Sequence, residues 1–137
     1  MELSERISIK VRFNEVDSLK IVWHGHYLKY LEDGREAFGE KYGIGYLDVY
    51  DAGLATPLVK VDINYKKILQ YGDNVIVEAR YVNTEAAKVI FDYTLFKEAT
   101  GEIVATAQTI QVFIDKNGEL VLTLPPFYAD WKKKWEI

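Results

Sequence analysis

RISIKVRF (residues 6–13) runs into NEVDSLKIVW (14–23) and then HGHYLKYLEDGREAFGEKY (24–42), and the change of period within this run decides the fold. From Arg6 to Phe13 apolar and polar residues alternate. Ile7, Ile9, Val11 and Phe13 point one way and Arg6, Ser8, Lys10 and Arg12 the other, the pattern of a half-buried strand. From about His24 the apolar residues recur instead at steps of three and four, at Tyr27, Tyr30, Leu31, Gly34, Phe38 and Tyr42. Lys29, Glu32, Asp33, Glu36 and Glu40 take the opposite side, so residues 24–42 are expected to form one long amphipathic helix. Gly43 and Gly45 supply its stop. Gly34 costs about 1 kcal/mol inside a helix relative to alanine, and a close approach by another segment would account for it.

Downstream, after a short irregular piece, the period of two returns. Pro57, Val59, Val61, Ile63 and Tyr65 mark a second strand, and Val75, Val77, Ala79 and Tyr81 a third. Val89, Phe91, Tyr93 and Leu95 mark a fourth, and residues 102–114 a fifth. Tyr71-Gly72-Asp73, Thr100-Gly101 and Asp115-Lys116-Asn117-Gly118 are turn signals between or after them. Pro125-Pro126 followed by FYADWKKKW reads as a small terminal helix with lysines at its negative end. The order predicts an α+β fold, an antiparallel sheet of about five strands with one long helix across its apolar face. Hairpins can join the last four strands. One sheet face and two edge strands then remain uncovered, so at least a dimer is expected.

With 137 residues and neither repeats nor a Pro/Gly/Ser linker, a single domain over 1–137 is expected. The chain is 49% apolar and 28% charged, the balance of a globular protein. A formal charge of −4 argues against nucleic acid as a partner. No apolar run approaches the ~18 residues of a membrane span, and MELSERISIK has neither the basic nor the apolar part of a secretory signal. A cytoplasmic location is therefore expected. The absence of cysteine removes disulfides, thiol nucleophiles and thiolate metal sites. Ten tyrosines and three tryptophans either fill the core or line a ligand pocket or subunit interface.

The stretch from Asn14 to Tyr27 holds Asp17, Trp23, the flexible Gly25 and both histidines of the chain, His24 and His26. A helix start presents unpaired N–H groups that can hold a carbonyl oxygen as it becomes an oxyanion. A carboxylate brought back beside it can attack the carbonyl or activate water. These residues can thus assemble an acyl-transfer site without serine or cysteine. Asp17 can equally be a turn former or helix cap, and the histidines packing residues. His24-Gly25-His26 lacks a third ligand at a suggestive spacing, so no metal is expected.

The run VRFNEVDSLKIVWHGHYLKYLEDGREAF (residues 11–38) resembles the signature of the 4-hydroxybenzoyl-CoA thioesterase-like branch of the hotdog thioesterases, which includes the tol-pal-associated thioesterases. Asp17, Val22-Trp23, His24, Tyr27-Leu28 and Arg35 stand at matching positions. Asn64 to Lys67, followed by Tyr71-Gly72-Asp73, is similar to the family's basic segment and Gly-Asp turn. The chain departs in having His26 where asparagine is common, Ser18-Leu19-Lys20 in place of a small turn, and Ile68 in place of proline. The resemblance implies a hotdog fold and hydrolysis of an acyl- or aroyl-coenzyme A thioester, with no cofactor. Asp17 is then the catalytic carboxylate, as nucleophile or general base. The backbone N–H groups of His24 and Gly25 form the oxyanion hole, and the His24 side chain assists. Trp23, His26, Lys66 and Lys67 are the expected substrate and coenzyme A contacts, although the lysines can equally be a solvated strand end. The resemblance also implies a homodimer or homotetramer with sites at subunit interfaces. Hydrolysis of an acyl group on carrier protein, or acyl-CoA binding without hydrolysis, are the alternative expectations.

Overall fold

The computed structural model describes residues 2–137. Five strands form one antiparallel sheet: β1 (Ser4–Lys10), β2 (Leu58–Tyr65), β3 (Asn74–Val82), β4 (Lys88–Lys97) and β5 (Ile103–Val112). The long helix α1 spans Tyr27–Tyr42 and is entered through a single 3₁₀ turn, His24–His26. A six-residue helix, α2 (Tyr46–Asp51), follows it, and α3 (Pro126–Lys134) closes the chain. The short irregular piece expected after α1 thus contains α2. Its start is capped by the Asp48 carboxylate, which accepts from the Gly45 N–H at 2.8 Å.

The strand order is β1-β3-β4-β5-β2. β3, β4 and β5 are joined by hairpins as expected, but β2 is not a hairpin neighbour of β3. It crosses to the far edge and pairs with β5, Tyr65 facing Ala105 and Asn64 facing Thr106. Period-two patterning identifies a strand's faces and not its neighbour, so this crossing left no mark on the local pattern.

α1 lies across β1 and β3. Its apolar stripe, Tyr27, Tyr30, Leu31, Gly34, Phe38 and Tyr42, is buried as the spacing requires, and each large side chain so buried contributes roughly 1.5–3 kcal/mol. A Cβ on Gly34 would meet the Val77 Cγ1 at 2.6 Å, so the close approach that this glycine permits is to a β3 side chain. Val75, Val77 and Ala79 on β3, and Val89, Phe91, Tyr93 and Leu95 on β4, complete the core. The C-terminal helix pins the far end of α1, because the Trp131 and Trp135 indole N–H groups both donate to the Tyr42 carbonyl, at 2.7 and 3.0 Å.

Phe13, Val59 and Val61 depart from the expected alternation. β1 ends at Lys10, the Val11 N–H turns to the Asp73 carbonyl, and Phe13 enters a 3₁₀ turn with its ring 80% exposed, edge-on to Tyr71. On β2, Val59 and Val61 are 59% and 40% exposed, because this strand lies at the sheet edge beyond the reach of α1. Of the aromatic residues, Tyr30, Tyr93 and Tyr128 fill the core, whereas Trp23, Tyr46, Tyr50 and Tyr65 remain exposed. Among the described residues no helix is long and apolar enough to cross a membrane.

Candidate active site

Between β1 and α1 the chain makes a tight loop whose backbone closes on itself. Val16 bridges Val22, the Asp17 N–H donates to the Ile21 carbonyl at 2.9 Å, and the Lys20 N–H returns to the Asp17 carbonyl at 3.0 Å. Lys20 adopts a left-handed conformation (φ 64°), one that glycine accepts more readily. Asp17 holds this turn with one oxygen: its Oδ1 accepts from the Leu19 N–H at 2.8 Å and from the Ile21 N–H at 3.4 Å. The other oxygen, Oδ2, has no hydrogen-bond partner among the described residues. The carboxylate is therefore a turn former with one oxygen still available.

The loop is fastened to the body of the protein on two sides. Val22 N–H donates to Leu69 O at 2.8 Å, and Tyr71 N–H to Lys20 O at 3.1 Å. Underneath sits Glu15, a fully buried carboxylate that the sequence reading passed over. It accepts from the Arg12 N–H at 2.7 Å, the Arg12 Nη1 at 3.2 Å and the Tyr30 hydroxyl at 2.9 Å, and it pairs with the Lys29 ammonium at 2.5 Å. Its own carbonyl accepts from the Trp23 N–H at 3.0 Å. Glu15 thus ties the Asp17 loop to the first turns of α1. Burial alone would raise its pKa, but the Lys29 ammonium, the Arg12 N–H and the Tyr30 hydroxyl outweigh burial and hold it below the ordinary carboxylate value. The signal that could have pointed here was Tyr30, whose hydroxyl falls on the apolar stripe of α1 and requires an acceptor.

A folded-state pKa below the unfolded value contributes stability that is present above the ordinary carboxylate range and lost as pH falls through the depressed value. Glu15→Gln is accordingly expected to cost about 2 kcal/mol at neutral pH. The difference from wild type should shrink below about pH 4. Urea denaturation of both proteins across pH tests this; a difference that stays constant into acid would mean that the charge on Glu15 is not what matters.

Trp23 precedes the 3₁₀ turn and folds its indole over Gly25. A Cβ at position 25 would fall 2.1 Å from the ring, so this glycine makes room for Trp23. The His26 N–H is taken by the Trp23 carbonyl at 3.0 Å, whereas the His24 and Gly25 N–H groups have no acceptor among the described residues. The His24 carbonyl accepts from the Tyr65 hydroxyl at 3.0 Å, so the end of β2 fixes the helix entry. Tyr65 also meets Tyr27 edge-on at 4.8 Å. Burial, with Tyr65 close by, pushes the Tyr27 hydroxyl up to about 12, so Tyr27 is a neutral wall. Tyr65 is a further residue that the sequence reading did not single out, since its alternation looked like any strand end.

Asp17, Trp23, His24, Lys66 and Lys67 line one open cavity of about 380 Å³, with Ile21, Tyr27, Tyr65 and Ile68 among its other walls. Lys67 reaches Glu102 at 3.7 Å, whereas Lys66 has no carboxylate within ion-pair distance among the described residues. His26 lies outside this lining, edge-on to Trp23 with ring centroids 5.5 Å apart. The lining therefore gathers Asp17 with an unpartnered carboxylate oxygen, His24 with an unpaired amide at the helix entry, and Lys66 as an unpaired cation, against apolar and aromatic walls, whereas Gly25 stands outside it. That set can accept a proton or attack, hold a developing oxyanion, and attract an anionic group.

A family model described as the thioesterase-like superfamily matches residues 11–132. Among curated proteins, the chain is 30% identical over 136 residues to "Putative acyl-CoA thioesterase YneP" of Bacillus subtilis, covering 99% of this chain and 97% of that one. It is 32% identical over 109 residues to the chloroplastic acyl-acyl carrier protein thioesterase ATL3 of Arabidopsis thaliana, covering 80% of this chain and 57% of that one. Among solved structures, a DHNA-CoA thioesterase from Staphylococcus aureus superposes with a TM-score of 0.86 at 25% identity, covering 97% of this chain and 89% of that one.

Proposed function

This chain belongs to the thioesterase-like superfamily and has its hotdog fold, and on that premise we propose that it hydrolyses an acyl-coenzyme A thioester with Asp17 as the catalytic carboxylate. The observation that carries this reading is the cavity lined both by Asp17, whose Oδ2 has no partner among the described residues, and by His24, whose amide is unpaired at the helix entry. In the general-base form, Oδ2 takes a proton from water while the water oxygen bonds to the thioester carbon. In the nucleophilic form, Oδ2 bonds to that carbon itself, and water later cleaves the resulting anhydride. In either form negative charge builds on the carbonyl oxygen, where one well-aimed amide contributes about 3–4 kcal/mol. The C–S bond then breaks, the thiolate of coenzyme A leaves and takes up a proton, and the free acid follows.

The other residues take supporting roles in the proposal. The His24 side chain stands at the same wall and assists the leaving thiolate. Trp23 and His26 form one packed unit that shapes the mouth, with His26 acting through Trp23. Lys66 and Lys67 meet the coenzyme's phosphates, Lys66 with the greater effect because Lys67 already has Glu102. The 137 residues act as a single domain. Two copies join along β2, an eight-residue edge strand that presents exposed Val59, Val61 and Tyr65 and one unpaired row of backbone groups. Edge strands of monomers are seldom left this long and apolar.

A thiol-release screen over aliphatic and aromatic coenzyme A esters, run beside the same acyl groups on carrier protein, tests the reading. Release from coenzyme A esters at the higher kcat/KM is expected. Faster release from carrier protein would move the substrate to that donor, and ligand binding without thiol release would make the protein a binder.

A further inference from the structure

An amide can serve an oxyanion only if its direction is steady, and the turn that carries the His24 amide is weakly built. The 3₁₀ turn His24–His26 is three residues long, and Trp23 before it makes no side-chain cap bond. Its middle residue is Gly25, the type with the widest backbone freedom. The peptide groups that precede His24 are held by backbone. The Trp23 N–H donates to the Glu15 carbonyl, and the Trp23 carbonyl accepts from the His26 N–H, both at 3.0 Å. The peptide group between His24 and Gly25 differs, because its N–H has no acceptor among the described residues.

The side chain that takes hold of that group is Tyr65. Its hydroxyl donates to the His24 carbonyl at 3.0 Å, the one side-chain hydrogen bond to the backbone of this turn among the described residues. The carbonyl does not need it for satisfaction, because the Tyr27 N–H already donates to the same oxygen. Both residues are exposed, so water can take the place of the hydroxyl at little cost in stability. Water cannot supply the direction.

Tyr65 has a footing of its own in the sheet. It ends β2 opposite Ala105, and the next two N–H groups, of Lys66 and Lys67, both donate to the Val104 carbonyl, at 2.8 and 3.1 Å. Its ring stands edge-on to Tyr27 at 4.8 Å and to His24 at 6.3 Å. The hydroxyl thus ties a glycine-containing turn to the sheet. Each peptide group is planar, so holding the groups on both sides of His24 fixes its φ and ψ, and with them the direction of its N–H.

We propose that Tyr65 is a positioning residue for thioester hydrolysis, its hydroxyl holding the His24 carbonyl so that the His24 amide stays aimed at the thioester oxygen. This role rests on the thioesterase reading, with His24 as an oxyanion donor in the cavity that it lines together with Asp17 and Tyr65. A preorganised donor acts on charge that builds only in the transition state. Loss of the hydroxyl should therefore appear in kcat and leave KM nearly untouched.

The test is Tyr65→Phe, which keeps the ring with its edge contacts and removes only the hydroxyl. Across the acyl-CoA panel kcat is expected to fall about tenfold to a hundredfold. KM, and the affinity for an alkyl-CoA thioether that has no carbonyl, should change less than about threefold, with the melting temperature nearly unchanged. A kcat within about twofold of wild type would overturn the proposal. So would an equal loss of thioether affinity, which would make Tyr65 a substrate contact, or a loss of rate that tracks unfolding of the variant. Tyr65→Gln, which keeps a donor on a flexible stem, should retain more kcat than Tyr65→Leu. Equal losses in those two would overturn the proposal even if the phenylalanine variant does not fold. Failure of the parent reading looks different: wild type then releases no thiol from any ester in the panel, and both proposals fall.

Discussion

Asp17→Asn is expected to lower kcat for acyl-CoA hydrolysis by about three orders of magnitude or more while leaving the fold intact. The geometry makes this substitution unusually clean. The side-chain carbonyl of asparagine can keep the role of Oδ1, accepting from the Leu19 and Ile21 N–H groups that hold the turn. What changes is Oδ2, the oxygen without a partner, which becomes an amide nitrogen able neither to take a proton from water nor to attack a carbonyl. Thiol release and thermal denaturation measured on the same preparation should therefore separate, with the rate collapsing and the melting temperature nearly unchanged. Turnover within about tenfold of wild type would remove Asp17 from the chemistry.

The second large effect is expected from the sheet edge. Lysine at both Val59 and Val61 places two charges on the exposed side of β2, a substitution that edge strands tolerate and strand-to-strand pairing does not. Sedimentation equilibrium should show a monomer, circular dichroism an unchanged fold, and kcat/KM a loss of about a hundredfold or more, because the proposed site is expected to lie where the two copies meet. A monomeric variant with wild-type activity would show that one copy contains a complete site, and the account of β2 would have to be abandoned.

How much of this was legible in the sequence depends on the range of the interactions involved. The faces of β3 and β4 and the stripe of α1 were readable because burial of an amphipathic element repeats at its own period, and Val75, Val77, Phe91, Tyr30 and Phe38 fall where those periods put them. α2 was missed, since six residues are too few to establish a helical period. The place of β2 beside β5 was not readable, because it is settled by packing across some forty residues of chain. At the site, Asp17, His24 and Gly25 stood out as unusual residue types between a strand and a helix. Glu15 did not: its partners Arg12, Lys29 and Tyr30 come from the strand end and from α1, and converge only in three dimensions. Tyr65 belongs to the same class. Local pattern can nominate a candidate group, whereas the groups packed around it come from elsewhere in the fold.

The most direct test is a crystal structure of the Asp17→Asn protein with an intact acyl-CoA bound. The thioester carbonyl oxygen should lie about 2.7–3.1 Å from the His24 or Gly25 N–H, with the residue-17 side chain beside the carbonyl carbon. A thioester bound away from the helix entry, or one whose carbonyl is held by other groups with residue 17 turned from it, would contradict the mechanism.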